Sequence, residues 1–468
     1  MLSTTANAAH ATDLKQLAEQ AVARALALGA TDAEAVAVES EEFHVNVRLG
    51  QVEQLTESGS RALGLRVLFA EGAGSRTAST STSDLSPEGV TRIIESAVQL
   101  ARVTGVDPFA GLPEREAFGS NDVSALALYF NDVDAITPAE RINIARGCEA
   151  AAMAYDTRIQ NSRGGDFDTA TSHKIMMNSR GFTGEYRRSY CGFSTSPIAQ
   201  DDKGGMQRNY WFSNARTVTK LEDPEEIGRE AARRTLQRLG ARQVKTQKAP
   251  VVFSAEMAQS IIGNIFDAAN GDAIYRNASF FSGMLGERVA GENITVIDDG
   301  TLVFDNIGGF GTRPFDGEGL PTRRTVLVER GILKNYVMNT YTARKLKMHS
   351  TGNASRGLAG NPGIGAGNFY LEAGTLTPEQ IIGDIKSGLY VTETMGHGIN
   401  LVTGDYSQGA SGLWIENGEI AYPVEEITIA GNLKDMYKNI VAIGNDLVFR
   451  GASAAPTIRI EGMTIAGS

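Results

Sequence analysis

Residues 395–406, MGHGINLVTGDY, set one imidazole (His397) and one carboxylate (Asp405) among three glycines. Three chemistries suit that composition: a phosphate cradle, a corner of a metal site, or backbone that must turn sharply. A hydrolytic zinc site needs about three side-chain ligands with one coordination position open. Two His one helical turn apart are the economical source, because that spacing points both imidazoles the same way. The histidines here are His10, His44, His173, His349 and His397, and none has a partner at that spacing. The cysteines, Cys148 and Cys191, both precede residue 242. A metal centre would have to join distant His349 and His397 to a carboxylate such as Asp405. Lone histidines are more often surface or core residues than ligands.

Nucleophiles fare no better. No Gly-x-Ser-x-Gly elbow occurs. Cys191 follows two arginines in RRSYCGFS, which could lower a thiol pKa, but alternation in a strand favours a buried cysteine. Asp298-Asp299 and Glu425-Glu426 are adjacent carboxylates that diverge in a strand, and they read as solvated or turn residues. Residues 357–368, GLAGNPGIGAGN, are glycine-rich enough for a nest of backbone N–H groups. No Gly-Lys-Ser/Thr follows. A loop beside a peptide cleft suits it better, since close backbone approach needs glycine.

The elements that must carry these residues fall into three parts. Leu14, Leu17, Ala18, Ala21, Val22, Ala25 and Leu28 share one helical face, ended by Gly29. Alternating runs such as HVNVRL and ALGLRVLF then read as strands. Ser86-Pro87 opens a second helix with an apolar stripe. The order recurs: a capping box at Thr137–Glu140, strands over residues 158–217, and a helix from Asp223 closed by Gly240. After Pro250 the chain turns to alternating strands, with Asn417-Gly418 and Arg330-Gly331 as hairpin signals. The expected fold class is α+β: two related helix–strands–helix units (residues 1–112 and 113–241) and a mainly antiparallel β domain (242–468).

Composition narrows the function. The chain has 468 residues, too many for one core. A net charge of −11 disfavours polyanion binding, so no nucleic-acid partner is expected. Residues 229–248 are basic but read as one solvated helix face and its linker. Two cysteines give no disulfide framework. Without a leader or a run of about 18 apolar residues, no membrane partner is expected, and the cytoplasm is the expected location.

In the β domain the sequence resembles a known family. HSTGNASRG, TMGHGINLVTGDYSQGASGLWIENGEIAYPVEEITIAGNLKDM and APTIRIEGMTIAG are similar to the TldD/PmbA family, and to its PmbA (TldE) branch rather than its TldD branch. The resemblance implies that a TldD-type chain is a metallopeptidase with a His-Glu-x-x-x-His helix and a later cysteine as zinc ligands. It implies that the PmbA-type chain is its partner in a complex that processes unfolded peptides. The stretch similar to the metal helix is SAEMAQSIIGNIFDAANGD. Gly263, Asn264 and Asp267 or Ala268 stand where His, Glu and His would fall, and no cysteine precedes PTIRI. The expectation is therefore a non-catalytic subunit with no metal or cofactor of its own, zinc belonging to the TldD-type partner, and a homodimer when alone. Asn353, Arg356, Asn368, His397 and Asp405 are the candidate peptide or partner contacts, and no catalytic residue is expected. The alternatives are a homo-oligomeric peptide-binding protein without an enzymatic partner, and an autonomous hydrolase using His397, His349 and Asp405.

Overall fold

The structure, a computed structural model, describes residues 13–119 and 124–468. His10 and the polar tail before residue 13 lie outside the described residues, as does part of the linker, residues 120–123.

Helix α1 (Leu14–Ala27) begins at Asp13, whose carboxylate accepts from the Lys15 and Gln16 amides. Strands β1 (Asp32–Arg48), β2 (Gln51–Glu71) and β3 (Gly74–Thr82) follow, then α2 (Pro87–Val103), capped by Ser86. A short α3 (Asp132–Ala135) precedes α4 (Pro138–Ala154), where Thr137 and Glu140 close a capping box. Next come β4 (Ile159–Asn178), β5 (Thr183–Gln200), β6 (Met206–Arg208), β7 (Trp211–Ala215) and α5 (Pro224–Leu236).

The two helix–strands–helix runs share one sheet. β1 pairs antiparallel with β4 from Glu34↔Asn178 to Val47↔Gly165. The strand order is β3-β2-β1-β4-β5-β6, with β7 also on β5. Alternation then decides the two faces. Ala33, Ala35, Ala37, Leu63, Leu65 and Val67 pack under α1 and α2. Further along the same face, Phe43, Val45, Val47, Phe167 and Phe193 pack with Cys148, Ile227 and Ala231 of α4 and α5. The opposite face of β1 and β2 carries Glu34, Val36, Gly64 and Arg66 and meets the C-terminal region, where Val36 and Met176 cluster with Phe315.

That region opens with β8 (Gln247–Phe253), α6 (Ala255–Ala268), α7 (Gly271–Tyr275), β9 (Val296–Asp299), β10 (Val303–Phe304) and β11 (Ile307–Gly308). It continues with β12 (Arg324–Glu329), β13 (Ile332–Leu333), α8 (Thr340–Leu346), β14 (Ala354–Ser355), β15 (Gly363–Ile364), β16 (Asn368–Leu371) and α9 (Pro378–Ile382). It ends with β17 (Ser387–Ile399), β18 (Asp405–Glu416), β19 (Glu419–Asn432), α10 (Leu433–Lys438), β20 (Ile440–Ile443), β21 (Ser453–Ala454) and β22 (Ile458–Ala466). One sheet runs β19-β18-β17-β8-β22-β20 and another β13-β12-β9-β16-β21. Only β17–β8 and β16–β21 are parallel among the named strand pairs. Asn417 and Gly418 both take positive φ (51° and 82°), as a tight two-residue hairpin between β18 and β19 requires. The chain is α+β, and among the described residues no helix is long and apolar enough to cross a membrane.

The glycine-rich residues 357–364 join this region to the sheet. A Cβ at Gly64 would lie 1.8 Å from the Leu358 carbonyl oxygen, so β2 admits only glycine there. The Gly360 amide donates to Ser79 Oγ at 2.6 Å on β3. Gly64→Ala should push the loop off the sheet and destabilise the protein by about 1–3 kcal/mol, the usual range for overpacking. A melting temperature within a degree or so of wild type would contradict the close approach.

Candidate functional site

The sequence-predicted residues separate into two places. Arg356 is fully buried on β14's outgoing chain, with Nη1 2.6 Å from Glu34 Oε1. The same Glu34 oxygen lies 2.5 Å from Arg66 Nη1, so one carboxylate of β1 sits between two guanidiniums. Asn353 Nδ2 donates to Asp298 Oδ2 at 2.6 Å and to the Gly365 carbonyl at 3.2 Å. Asn368 Nδ2 donates to the Asp299 carbonyl (2.7 Å) and Thr312 Oγ1 (2.9 Å), while its Oδ1 accepts from the Gly311 amide. These three side chains are buried: Asn353 and Asn368 are hydrogen-bonded within the chain, and Arg356 meets Glu34 while its Nε and Nη2 have no hydrogen-bond partner among the described residues. They build the floor beneath the glycine-rich loop instead of reaching out from it.

His397 and Asp405 belong to the β17–β18 hairpin. His397 is exposed near the end of β17 and makes no hydrogen bond or ion pair with the described residues. The Asp405 carboxylate accepts from Thr403 Oγ1 (2.6 Å) and Asn432 Nδ2 (3.1 Å), which hold it below the usual carboxylate range. Asn400 Oδ1 accepts from the Val402 and Thr403 amides, closing the turn. Gly396 and Gly404 take positive φ. The MGHGINLVTGDY stretch is thus a strand end, a turn and a strand start. No hydrogen bond or ion pair links its His397 or Asp405 to Asn353, Arg356 or Asn368.

The Asp298-Asp299 pair corrects the expectation of solvated carboxylates. Both are buried, because β9 is flanked by β12 and β16 on its two edges. Asp298 is pushed up to about 6 by burial, against the opposing effects of the Asn353 and Gly367 hydrogen bonds. Asp316 accepts the amides of Glu318, Leu320 and Ala354, yet burial raises it to about 6. Glu318 accepts the Thr340 amide (2.8 Å), and burial, then the Asp316 charge, raise it to about 7. Cys191 and Cys148 are buried in the sheet's helical face. Burial pushes the Cys191 thiol up to about 12 and Cys148 higher still, so neither is an activated nucleophile.

A pocket of about 290 Å³ opens where sheet, linker and C-terminal region meet. Its lining includes Arg66 of β2, Asp107 of the linker, Asp272 and Tyr275 of α7, Glu318, and Asn361–Ile364 of the loop. Asp107 accepts from Tyr341 Oη and the Phe109 amide, both at 2.9 Å. Asn339 Nδ2 donates to the Pro362 and Gly363 carbonyls, fixing the loop above α8. The sequence reading missed Glu34, Arg66, Asp107 and Glu318. Their signal was present for two: Glu34 and Arg66 interrupt apolar runs, AEAVAV and LGLRVLF, at positions facing away from the helices.

A metallopeptidase centre does not fit the remaining candidate place, α6. Asn264 is buried, and its Nδ2 donates to the Ser260 carbonyl within the same helix. Ala258, Ile261, Ile262 and Ile265 fill the core. Among the described residues, no three His, Cys, Asp or Glu side chains stand together so as to hold a metal ion.

The comparisons with known proteins follow this geometry. Residues 33–101, 131–239 and 246–467 match the family models described as PmbA/TldA metallopeptidase domain 1, central domain and C-terminal domain. The chain is 37% identical to Metalloprotease PmbA of Escherichia coli O157:H7 over 458 residues, 97% of each chain. A Bacteroides thetaiotaomicron crystal structure, named for a proposed modulation of DNA gyrase, superimposes with a TM-score of 0.88 at 25% identity, covering 97% of this chain and 99% of that one. TldE from Thermococcus kodakarensis shares the fold, with a TM-score of 0.84 at 22% identity over 96% and 100% of the two chains. With three family models spread along its length and a relative matched almost end to end, the chain belongs to the PmbA/TldD family of metallopeptidase-like proteins.

Proposed function

We propose that this chain is the PmbA/TldE-type, zinc-ligand-lacking subunit of a heteromeric metallopeptidase that processes or degrades unfolded peptides in the cytoplasm. The observation that carries the reading is the donor set of α6. Where the resemblance expects His, Glu and His, the helix offers Gly263, Asn264 and Asp267 or Ala268. Bond cleavage then falls to a TldD-type partner, whose metal activates water. This chain contributes wall and grip. The pocket between sheet and C-terminal region, bounded by backbone of the glycine-rich loop, supplies the kind of surface an extended peptide uses.

One further observation supports a subunit role. Among the described residues, β3 pairs with β2 over residues 63–71, and residues 51–62 of β2 have no strand on that side. Residues 51–60 are exposed, including Val52 and Leu55. This edge carries no proline or lysine, and its Glu53, Glu57 and Arg61 would select a strand of matching polarity from another chain. The test is reconstitution. Peptidase activity on an unfolded peptide should need both this chain and the TldD-type chain of the same cell. Failure of the two to associate, with homodimer recovered alone, would favour the homo-oligomeric peptide-binding protein instead.

A further inference from the structure

The pocket beneath the glycine-rich loop holds an imbalance of charge. Glu318 is 2% exposed and lines the pocket. It accepts one backbone amide and forms no ion pair among the described residues, while its acidic neighbours Asp316 and Glu34 bear on it repulsively. Arg344 and Arg356 lie near enough to feel the Glu318 charge favourably, but neither forms an ion pair with it among the described residues, and each cation nearby has another partner. Arg66 is paired with Glu34, Arg356 with the same carboxylate, and Arg276 with Asp272 at 3.1 Å. Arg344 donates to the Phe109 and Leu112 carbonyls of the linker. Asp107, on the opposite wall, receives Tyr341 Oη and an amide but no cation.

A buried carboxylate with no directly paired cation is costly unless one reaches it. The rings of Tyr275 and Tyr341 line the same pocket at 77° to each other, with centroids 6.4 Å apart. Their faces already attract a cation from the neighbouring cavity, where Lys345 Nζ lies 4.6 Å and 5.0 Å from the two centroids. Gly111 and Gly363 are part of the lining, and a Cβ at Gly111 would strike Arg344 Nη1 at 2.7 Å. A slim cation with several N–H donors matches these walls better than a metal ion, for which the pocket lacks three convergent ligands.

We propose that this pocket takes a primary ammonium group of a bound peptide, with Glu318 as its counter-charge at the floor and Asp107 as a second acceptor at the rim. The inference rests on the peptide-handling reading above. It adds how one end of the peptide is held: the ammonium enters beside Glu318 while the chain that follows runs along the backbone of residues 361–364. A free amino terminus and a lysine side chain both present this group.

Fluorescence anisotropy of the full chain distinguishes these sources. Three glycine- and serine-rich octapeptides with a C-terminal fluorophore serve as probes: one with a free amino terminus and no lysine, one acetylated, and one acetylated with a single lysine. At least one ammonium-bearing peptide should bind ten-fold or more tighter than the acetylated lysine-free one. E318Q, which keeps the shape and the acceptor for the Thr340 amide, should erase that preference. D107N should weaken it, and provides the readout if E318Q does not fold. Equal affinities for all three peptides, no binding of any, or a preference that survives both variants would overturn the assignment. Equal affinities alongside partner-dependent peptidase activity would remove the pocket's role and leave the subunit reading standing. Loss of partner-dependent activity would sink the subunit reading whatever the anisotropy shows.

Discussion

Glu34→Gln should destabilise this protein by about 3–5 kcal/mol, the usual cost of removing one member of a buried ion pair. Glu34 is fully buried on β1, and its Oε1 serves Arg66 from the sheet and Arg356 from the C-terminal region. Taking away its charge leaves two guanidiniums facing each other out of water. Neither can turn to solvent, since Arg66 and Arg356 are themselves buried. A double variant separates charge from packing. Arg356→Met in the Glu34→Gln background removes one uncompensated cation and should recover a large part of the loss. Urea midpoints of the two variants measure both effects. A Glu34→Gln midpoint close to wild type would show that the carboxylate does not join sheet and C-terminal region as its distances indicate.

The contribution of three buried acids to stability should fall as pH rises from about 4 to about 7. Asp298, Asp316 and Glu318 stand at about 6, about 6 and about 7 in the folded chain, raised in each case chiefly by burial. Their unfolded values lie near 4. Between those limits the native state binds more protons than the unfolded chain, so the slope of stability against pH is negative there. The stabilisation is fully present below the unfolded values and is lost as each folded value is passed. For Asp298 alone a shift of this size corresponds to roughly 2–3 kcal/mol. The Asp316 charge adds to the rise at Glu318, and the contribution of the pair has the same sign. Asp298→Asn keeps the shape and removes the charge, and should flatten part of the slope between pH 5 and 7. A midpoint that rises steadily over that interval would contradict the burial of these acids.

Local signals in the sequence carried the helices well. Asp13, Ser86, Thr137 and Asp223 each cap the helix they precede, because capping depends on residues within one turn. Asn417-Gly418 and Arg330-Gly331 mark their turns for the same reason: both positions of each take positive φ. The shared sheet was not legible. β1 and β4 pair residues separated by more than a hundred positions, and nothing local in HVNVRL names its far partner. The candidate site suffered similarly. Asn353, Arg356 and Asn368 were visible as polar residues in glycine-rich surroundings, which suggests exposure. Their burial follows from tertiary contacts with Glu34, Asp298 and Asp299. Asp298 and Asp299 misled in the same way, since adjacent carboxylates look solvated until both edges of their strand are covered. Glu34 and Arg66 were the readable clue, as opposite charges at facing positions of two apolar strands.

The most direct measurement is the zinc content of the chain purified alone, after exposure to excess zinc and dialysis. A helix that offers Gly263, Asn264 and Asp267 or Ala268 with no imidazole should retain far less than one equivalent and hydrolyse no peptide. About one zinc per chain, held through dialysis and accompanied by peptide cleavage, would mean that this polypeptide builds a metal centre of its own.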